Sequence, residues 1–196
     1  MNTHTVLEYL KTFVGVPYRW HRDGHEISGD EPFWAAEEGP VTRVYIDAHD
    51  KSIVCTGLVN LARRYLGLSI PGLDGSLEYV LGRKFPGTTG TWFAYLEIKG
   101  ALIPFDCAAA YPVGTLLLRD FHSVEEDQGH VAIVAGEGGT ILEQTILHAF
   151  ATVAYEGSET VKNVGHTGLE VCSVSHNWIP EGYYTHVCLP EGWLQE

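Results

Sequence analysis

Cys55 is the residue whose type and setting best suit nucleophilic chemistry. It lies in the stretch KSIVCTGLVNLARRYLGL, residues 51–68, where an extended approach gives way to a helical pattern. A cysteine in the first turn of a helix meets the positive end of the helix dipole and unpaired backbone N–H groups, and both favour the thiolate. After it come Leu58, Leu61, Ala62, Tyr65 and Leu66, at the spacing of one buried helix face. Arg63 and Arg64 fall on the other side, and Gly67 stands where a left-handed cap would end the helix.

A cysteine nucleophile needs a base within hydrogen-bond reach, and the base needs an orienting partner. His130 is the best candidate for the base among the ten histidines. It opens the strand-like run GHVAIVAG after a glycine turn, which predicts that its ring lies at the edge of a sheet.

The next strand-like run, GTILEQTILHAF, offers the orienting partner. Strand alternation places Glu143 and Thr145 on one face of this run. A carboxylate on an otherwise apolar strand is costly unless it is paired, and a histidine on the neighbouring strand would be a suitable partner. Gln144 is the fallback for this role, and His148 is a weaker candidate.

The remaining patterns describe the elements that must position these residues. Helices come first and strands later, which indicates an α+β layout with the cysteine helix packed on an antiparallel sheet. The predicted helices cover residues 6–14, 55–66 and 76–83. The predicted strands cover residues 41–46 and 92–96, three runs of a meander between 113 and 150, and two tail segments at 168–173 and 183–189.

The totals fit one domain that spans residues 1–196. A formal charge of −13 makes nucleic acid and anionic membrane surfaces poor partners. The N-terminus has neither a basic segment nor an apolar segment of a signal peptide, so the sequence predicts a cytoplasmic protein or one released by a leaderless route, such as phage lysis or a secretion system. Its four cysteines are widely spaced, which favours neither a zinc site nor a disulfide scaffold, and no cofactor is expected.

Four segments in order resemble the NlpC-type cell-wall cysteine peptidases. They are VGVPYRW, IVCTGLVNLARRYLGLSIPG, YPVGTLLLRD and QGHVAIVAGEGGTILEQ. They match the family pattern of G-x-P-Y, D-C-S-G-L-V, P-G-D-L and G-H-V-x-I, and together they cover roughly a third of the chain. The last segment is also similar to the related CHAP amidases, in which the Glu of a comparable L-E-Q-N run is often the third catalytic residue.

The resemblance implies a papain-like fold and an acyl-enzyme mechanism. It assigns Cys55 as the nucleophile, His130 as the base and Glu143 as the residue that orients the base. Tyr18, with Trp20 and Gln144, is expected to contribute to substrate or oxyanion binding, and the backbone N–H of Cys55 is the expected oxyanion donor.

The chain departs from the family pattern at several positions. Val54 replaces the usual Asp, Thr56 the usual Ser, and Thr115 the Asp of the P-G-D-L motif. The interval from Tyr18 to Cys55 is long for the family, and an inserted flap at about residues 23–51 accounts for it. We expect the flap to border the cleft and to narrow substrate specificity.

Three functions follow from these observations. The first is a cysteine hydrolase that cleaves peptidoglycan stem or cross-bridge peptides. The second is an amidase that acts on a small or cationic conjugate, which the acidic charge favours. The third is a catalytically silent binding or assembly protein that uses the same cleft.

Overall fold

The computed structural model describes residues 3–18, 40–73, 87–119, 129–154, 162–174 and 183–195. Five α-helices lie within these ranges: α1 Thr3–Lys11, α2 Arg43–Ala48, α3 Cys55–Tyr65, α4 Thr89–Ile98 and α5 Pro190–Trp193. The same ranges hold seven strands: β1 Pro17–Tyr18, β2 Ile103–Pro104, β3 Leu116–Arg119, β4 His130–Val134, β5 Thr145–Ala154, β6 Lys162–Val171 and β7 His186–Cys188.

The seven strands form one antiparallel sheet in the order β1-β6-β5-β4-β3-β7-β2. Strands β3, β4 and β5 are consecutive neighbours, which confirms the predicted meander. The helix-then-sheet order confirms the α+β class. The third run of the meander begins as a strand only at Thr145, because residues Ile141–Glu143 form a 3₁₀ helix.

Two other predicted strands are wrong. Residues 41–46 fall largely in helix α2, which Thr42 begins by accepting a hydrogen bond from the N–H of Tyr45. Residues 92–96 lie inside helix α4, which Thr88 begins in the same way through the N–H of Thr91. The predicted helix at 76–83, and residues 23–39 of the flap, lie outside the described residues.

The sheet separates two groups of buried apolar side chains. On one face, Val131, Ile133 and Leu147 pack with residues of α1 and α3 such as Leu10 and Leu58. On the other face, a second core contains no residue of α1 or α3; it includes Ala132, Val134, Ile146, Tyr184 and Val187. Successive residues of β4 therefore alternate between the helix-covered face and the opposite face.

Helix α3 begins at Cys55, and Gly67 follows its end with a φ of 68°, so the predicted helix and its left-handed cap are confirmed. The sequence assigned Tyr65 to the buried face and placed Arg63 and Arg64 on the other side of the helix. This part of the prediction is wrong, because both arginines are buried and Tyr65 is exposed. Arg63 is completely buried. Its guanidinium donates to the carbonyl oxygens of Trp193 and Gln195 at 2.8 and 2.9 Å. These charge-assisted bonds join the last turn of α3 to the last described residues of the chain.

A second set of bonds holds the start of α4 against α3. The buried amide of Asn60 donates to the carbonyl oxygen of Gly87 at 3.0 Å and accepts from the indole N–H of Trp92 at 2.7 Å. Gly87 has a φ of 66°, and a Cβ there would collide with the Asn60 amide. The N–H of Gly87 also donates to the carbonyl oxygen of Pro71 at 2.9 Å. The start of α4 is therefore held against the middle of α3.

All four cysteines are free thiols, and Cys172 and Cys188 are buried whereas Cys107 is exposed. No helix among the described residues combines the length and apolar character needed to cross a membrane.

Candidate active site

The thiol of Cys55 lies at the first position of α3 and is almost completely buried, with 8% of the residue exposed. The preceding residue, Val54, gives the helix no side-chain cap, so the first-turn amides are not satisfied in that way. The N–H groups of Cys55 and Thr56 interact with the sulfur, and each favours the thiolate.

Burial nevertheless outweighs these donors and raises the pKa of the Cys55 thiol. The expectation of a low-pKa thiolate is therefore wrong for this closed arrangement, in which the neutral thiol is the stable form. A group that brings solvent, a substrate dipole or a base to the sulfur would favour ionisation.

The side chain of Thr89 is the polar side-chain neighbour of the sulfur. Its Oγ1 lies 3.9 Å from Sγ of Cys55, and Thr89 is the first residue of α4. The bonds of Asn60 to Gly87 and Trp92 hold the start of α4 against α3, and so hold Thr89 near the sulfur. Thr89 was not anticipated from the sequence because it matches no motif and falls after a segment with no clear pattern.

Strand β4 packs against the helix that begins at Cys55. Val131 and Cys55 belong to the same buried cluster on the helix-covered face of the sheet. Within residues 129–154, the β4–β5 ladder starts at the pair Ile133–Leu147, beyond Val131. The N–H of Val131 favours the thiolate and so lowers the pKa of Cys55, although burial has the larger, opposite effect.

His130 is the first residue of β4, as predicted, but the predicted position of its ring at the edge of the sheet is wrong. β4 lies between β3 and β5, and only 7% of His130 is exposed. Its Nε2 lies 3.0 Å from Nδ1 of His148 on β5. Burial is the largest cause that holds the pKa of His130 well below its ordinary value, followed by the proximity of His148 and Arg119. His130 is therefore a neutral imidazole near pH 7, which is the protonation state of a general base.

Among the described residues, no hydrogen bond joins the His130 ring to Sγ of Cys55. The predicted nucleophile and base fall on opposite faces of the sheet. Cys55 belongs to the helix-covered core with Val131, whereas the His130 ring lies on the other face, beside Tyr184. Tyr183 and Tyr184 border the His130 ring, with centroid separations of 5.7 and 6.3 Å, and the guanidinium of Arg119 lies 4.5 Å from the Tyr183 ring centroid.

The line of polar groups continues from His148 to a third strand. Nε2 of the fully buried His148 lies 2.9 Å from Oε1 of Glu170 on β6. The two atoms are close but are not aligned for a hydrogen bond. The resulting order across neighbouring strands is His130, His148, Glu170.

Glu143 does not take the position that its predicted strand would give it. It ends the 3₁₀ helix Ile141–Glu143, where its Oε2 accepts from the N–H groups of Gly139 and Thr140 at 2.9 and 3.3 Å. The His130 ring instead contacts His148, which the sequence favoured less than Glu143 and Gln144 as the residue that orients the base. The glycine-rich turn before β5 shifts the strand start by several residues, and this shift separates Glu143 from the histidine pair.

Gln144 is buried, and its side-chain amide forms hydrogen bonds with main-chain groups. Its Nε2 donates to the carbonyl oxygens of Tyr111 and Gly136 at 2.8 and 3.0 Å, and its Oε1 accepts from the N–H of Tyr111 at 2.8 Å. These bonds occupy both ends of the amide, so Gln144 is not available to bind an oxyanion.

Tyr18 is half-buried in β1 and packs against the helix-covered core. The carbonyl oxygen of its neighbour Pro17 accepts from the N–H of Ile53 at 3.0 Å, which holds β1 beside the approach to Cys55. Trp20 lies outside the described residues.

Strand register was the signal that could have identified His148 and Glu170. Once β5 starts at Thr145, His148 falls on the same face as His130, and Glu170 pairs with Ile146 on that face of β6. Among the described residues, no group of three or more His, Cys, Asp or Glu side chains is arranged to hold a metal ion.

Comparisons of this chain with family models, curated proteins and solved structures found no match.

Proposed function

We propose that the protein is a cysteine hydrolase of papain-like design that cleaves an amide through an acyl-enzyme. The observation that carries this proposal is the contact of His130 with His148 at the first residue of β4, a strand that packs against the helix that begins at Cys55. A thiol at a helix N-terminus, a neutral imidazole and a second buried imidazole form the set that such chemistry requires.

In this mechanism Nδ1 of His130 removes the proton from the Cys55 thiol as the sulfur attacks the substrate carbonyl carbon. The carbonyl π electrons move to oxygen, and the N–H groups of Cys55 and Thr56 at the start of α3 stabilise that oxyanion. The imidazolium returns its proton to the leaving amine when the C–N bond breaks. Water, deprotonated by His130, then hydrolyses the thioester and regenerates the thiol.

Catalysis by this route requires the His130 ring, which lies on the face of the sheet that holds Tyr184, to turn toward Cys55 on the helix-covered face when substrate binds. In this proposal the arrangement with a neutral thiol and no Cys55–His130 hydrogen bond is the resting enzyme. Thiol ionisation coupled to substrate binding would also protect the sulfur from adventitious oxidation.

The resemblance to NlpC-type peptidases assigns the substrate, a stem or cross-bridge peptide of peptidoglycan. The formal charge of −13 supports a second candidate, an amidase for a small or cationic conjugate, because an acidic protein gains no electrostatic attraction to an anionic wall.

The test is to incubate the wild type and Cys55→Ala with purified peptidoglycan, soluble muropeptides and a panel of small cationic amides, and to read the products by mass spectrometry. We expect new amine and carboxylate termini with the wild type, none with Cys55→Ala, and a thioester adduct on Cys55 when the reaction is quenched in acid. Cleavage restricted to the small amides would overturn the peptidoglycan substrate. Binding without cleavage of any of the three would overturn the enzyme proposal in favour of a silent binding protein.

A further inference from the structure

The carboxylate of Glu170 lies at the far end of the histidine pair and belongs to neither the nucleophile nor the base. Its Oε1 is 2.9 Å from Nε2 of His148, whose Nδ1 is 3.0 Å from Nε2 of His130. The two histidines are buried, whereas 22% of the Glu170 side chain is exposed. Both nitrogens of the His148 ring therefore face another titratable group.

This arrangement allows two proton patterns when both rings are neutral, because each neutral imidazole carries one N–H and one acceptor nitrogen. In the first pattern, each ring carries its proton on Nε2. His148 then presents Nε2–H to Glu170, His130 donates Nε2–H to Nδ1 of His148, and Nδ1 of His130 keeps its lone pair. In the second pattern, each ring carries its proton on Nδ1, and His130 has no basic nitrogen left for a thiol.

We propose that Glu170 is a positioning residue that selects the first pattern and thereby makes Nδ1 of His130 the basic nitrogen. An ionised carboxylate only accepts protons, so its charge favours a proton on the ring nitrogen that faces it. The selection works through charge and proximity, since Oε1 and Nε2 are close but not aligned for a hydrogen bond. The role of Glu170 in catalysis rests on the proposed function, whereas its effect on the protonation of the two rings does not.

The other described groups around the pair do not supply this selection. Arg119, on β3, opposes a positive charge on His130. His166, on β6, is separated from His148 by the ring of Phe150, with centroid distances of 5.1 and 4.5 Å on the two sides. Tyr183 and Tyr184 border His130 from the segment before β7. Glu170 provides the negative charge in contact with the described pair.

The same charge would assist the reaction step. When the thiol proton moves to Nδ1 of His130, a cation forms in a buried place where His148 and Arg119 disfavour it. A carboxylate beyond the second ring partly offsets that cost, as the buried Asp does in hydrolases with a Ser-His-Asp triad.

The experiment compares Glu170→Gln with Glu170→Asp, and uses Glu137→Gln as the matched control because Glu137 is an exposed carboxylate in the turn before β5. Ring ¹⁵N NMR of histidine-labelled full-length protein reads the protonated nitrogen of His130 and His148 without any substrate. The pH profile of kcat/KM is then measured on whichever amide the wild type cleaves. Circular dichroism and thermal midpoints confirm that each variant is folded.

We expect Nε2–H on both rings in the wild type, Glu170→Asp and Glu137→Gln, and a Nδ1–H population in Glu170→Gln. Glu170→Gln should lower kcat/KM roughly 10- to 100-fold, the usual effect of losing a group that orients a functional histidine. Its acidic limb should move to lower pH, since removal of a nearby negative charge makes His130 harder to protonate.

Unchanged ring protonation in Glu170→Gln would overturn the proposal, even if activity fell, because a merely structural carboxylate could cause that fall. An unshifted acidic limb in an active variant would do the same. If the wild type cleaves nothing, the proposed function fails, while the NMR result still decides whether Glu170 sets the protonation of the pair.

Discussion

Glu143 and Glu170 are two carboxylates beside strand β5 with different partners. Glu143 precedes β5, and its oxygen accepts from the N–H groups of its own turn. Glu170 lies on β6, and its oxygen contacts a buried histidine. The path of the backbone, more than the residue type, decides whether a carboxylate near a histidine stabilises a turn or contacts the ring.

The largest effect is expected when His148, which lies between Glu170 and His130, is replaced. His148→Gln should lower kcat/KM by about 10²- to 10⁴-fold, because the base loses the imidazole that orients it. His49→Gln is the matched control, since His49 is exposed directly after α2 and its Nδ1 bonds the Tyr45 carbonyl oxygen. Initial rates on the cleaved amide measure both. Near-normal rates in His148→Gln would mean that Glu170, which acts through His148, has no larger role in catalysis than Glu143.

A second variant tests whether the turn that contains Glu143 stabilises the fold. Gln144→Ala removes three partly buried hydrogen bonds to the backbone and should cost about 2–3 kcal/mol of unfolding free energy. Chemical denaturation measures this loss, with Glu137→Ala as the exposed control in the same turn. Activity per folded molecule should stay normal. A variant of normal stability that fails to turn over would instead return Gln144 to the substrate site.

The smallest effect is expected for Glu143→Gln. The amide oxygen still accepts from Gly139 and Thr140, so the change removes only the charge and should cost about 0.5–1 kcal/mol. Denaturation and kcat/KM are measured together, and kcat/KM should match the wild type. A loss of activity comparable with that of His148→Gln would restore Glu143 as the orienting residue.

Strong periodicity made part of the fold predictable. Helix α3 and the three-strand meander follow from apolar spacing that only one kind of element satisfies. The segments at 41–46 and 92–96 were misread because β-branched and aromatic residues favour strands. In each case a threonine, Thr42 or Thr88, supplies a helix cap that decides the local structure.

The candidate site was predictable only at its two conspicuous members, Cys55 and His130. The third depended on where β5 begins, which periodicity does not fix. The sequence did contain a signal, since Thr140 and Glu143 have the spacing of a capping box and therefore favour a helical turn over a strand. The ionisation of Cys55 was also misjudged, because the helix dipole can be read from sequence and burial cannot.

Gly87 ties three parts of the chain together. Its N–H donates to the carbonyl oxygen of Pro71, and its carbonyl oxygen accepts from the amide of Asn60. Gly87 stands two residues before Thr89, which meets the Cys55 sulfur. Because a Cβ at residue 87 would displace the Asn60 amide, the placement of Thr89 depends on a residue that has no side chain of its own.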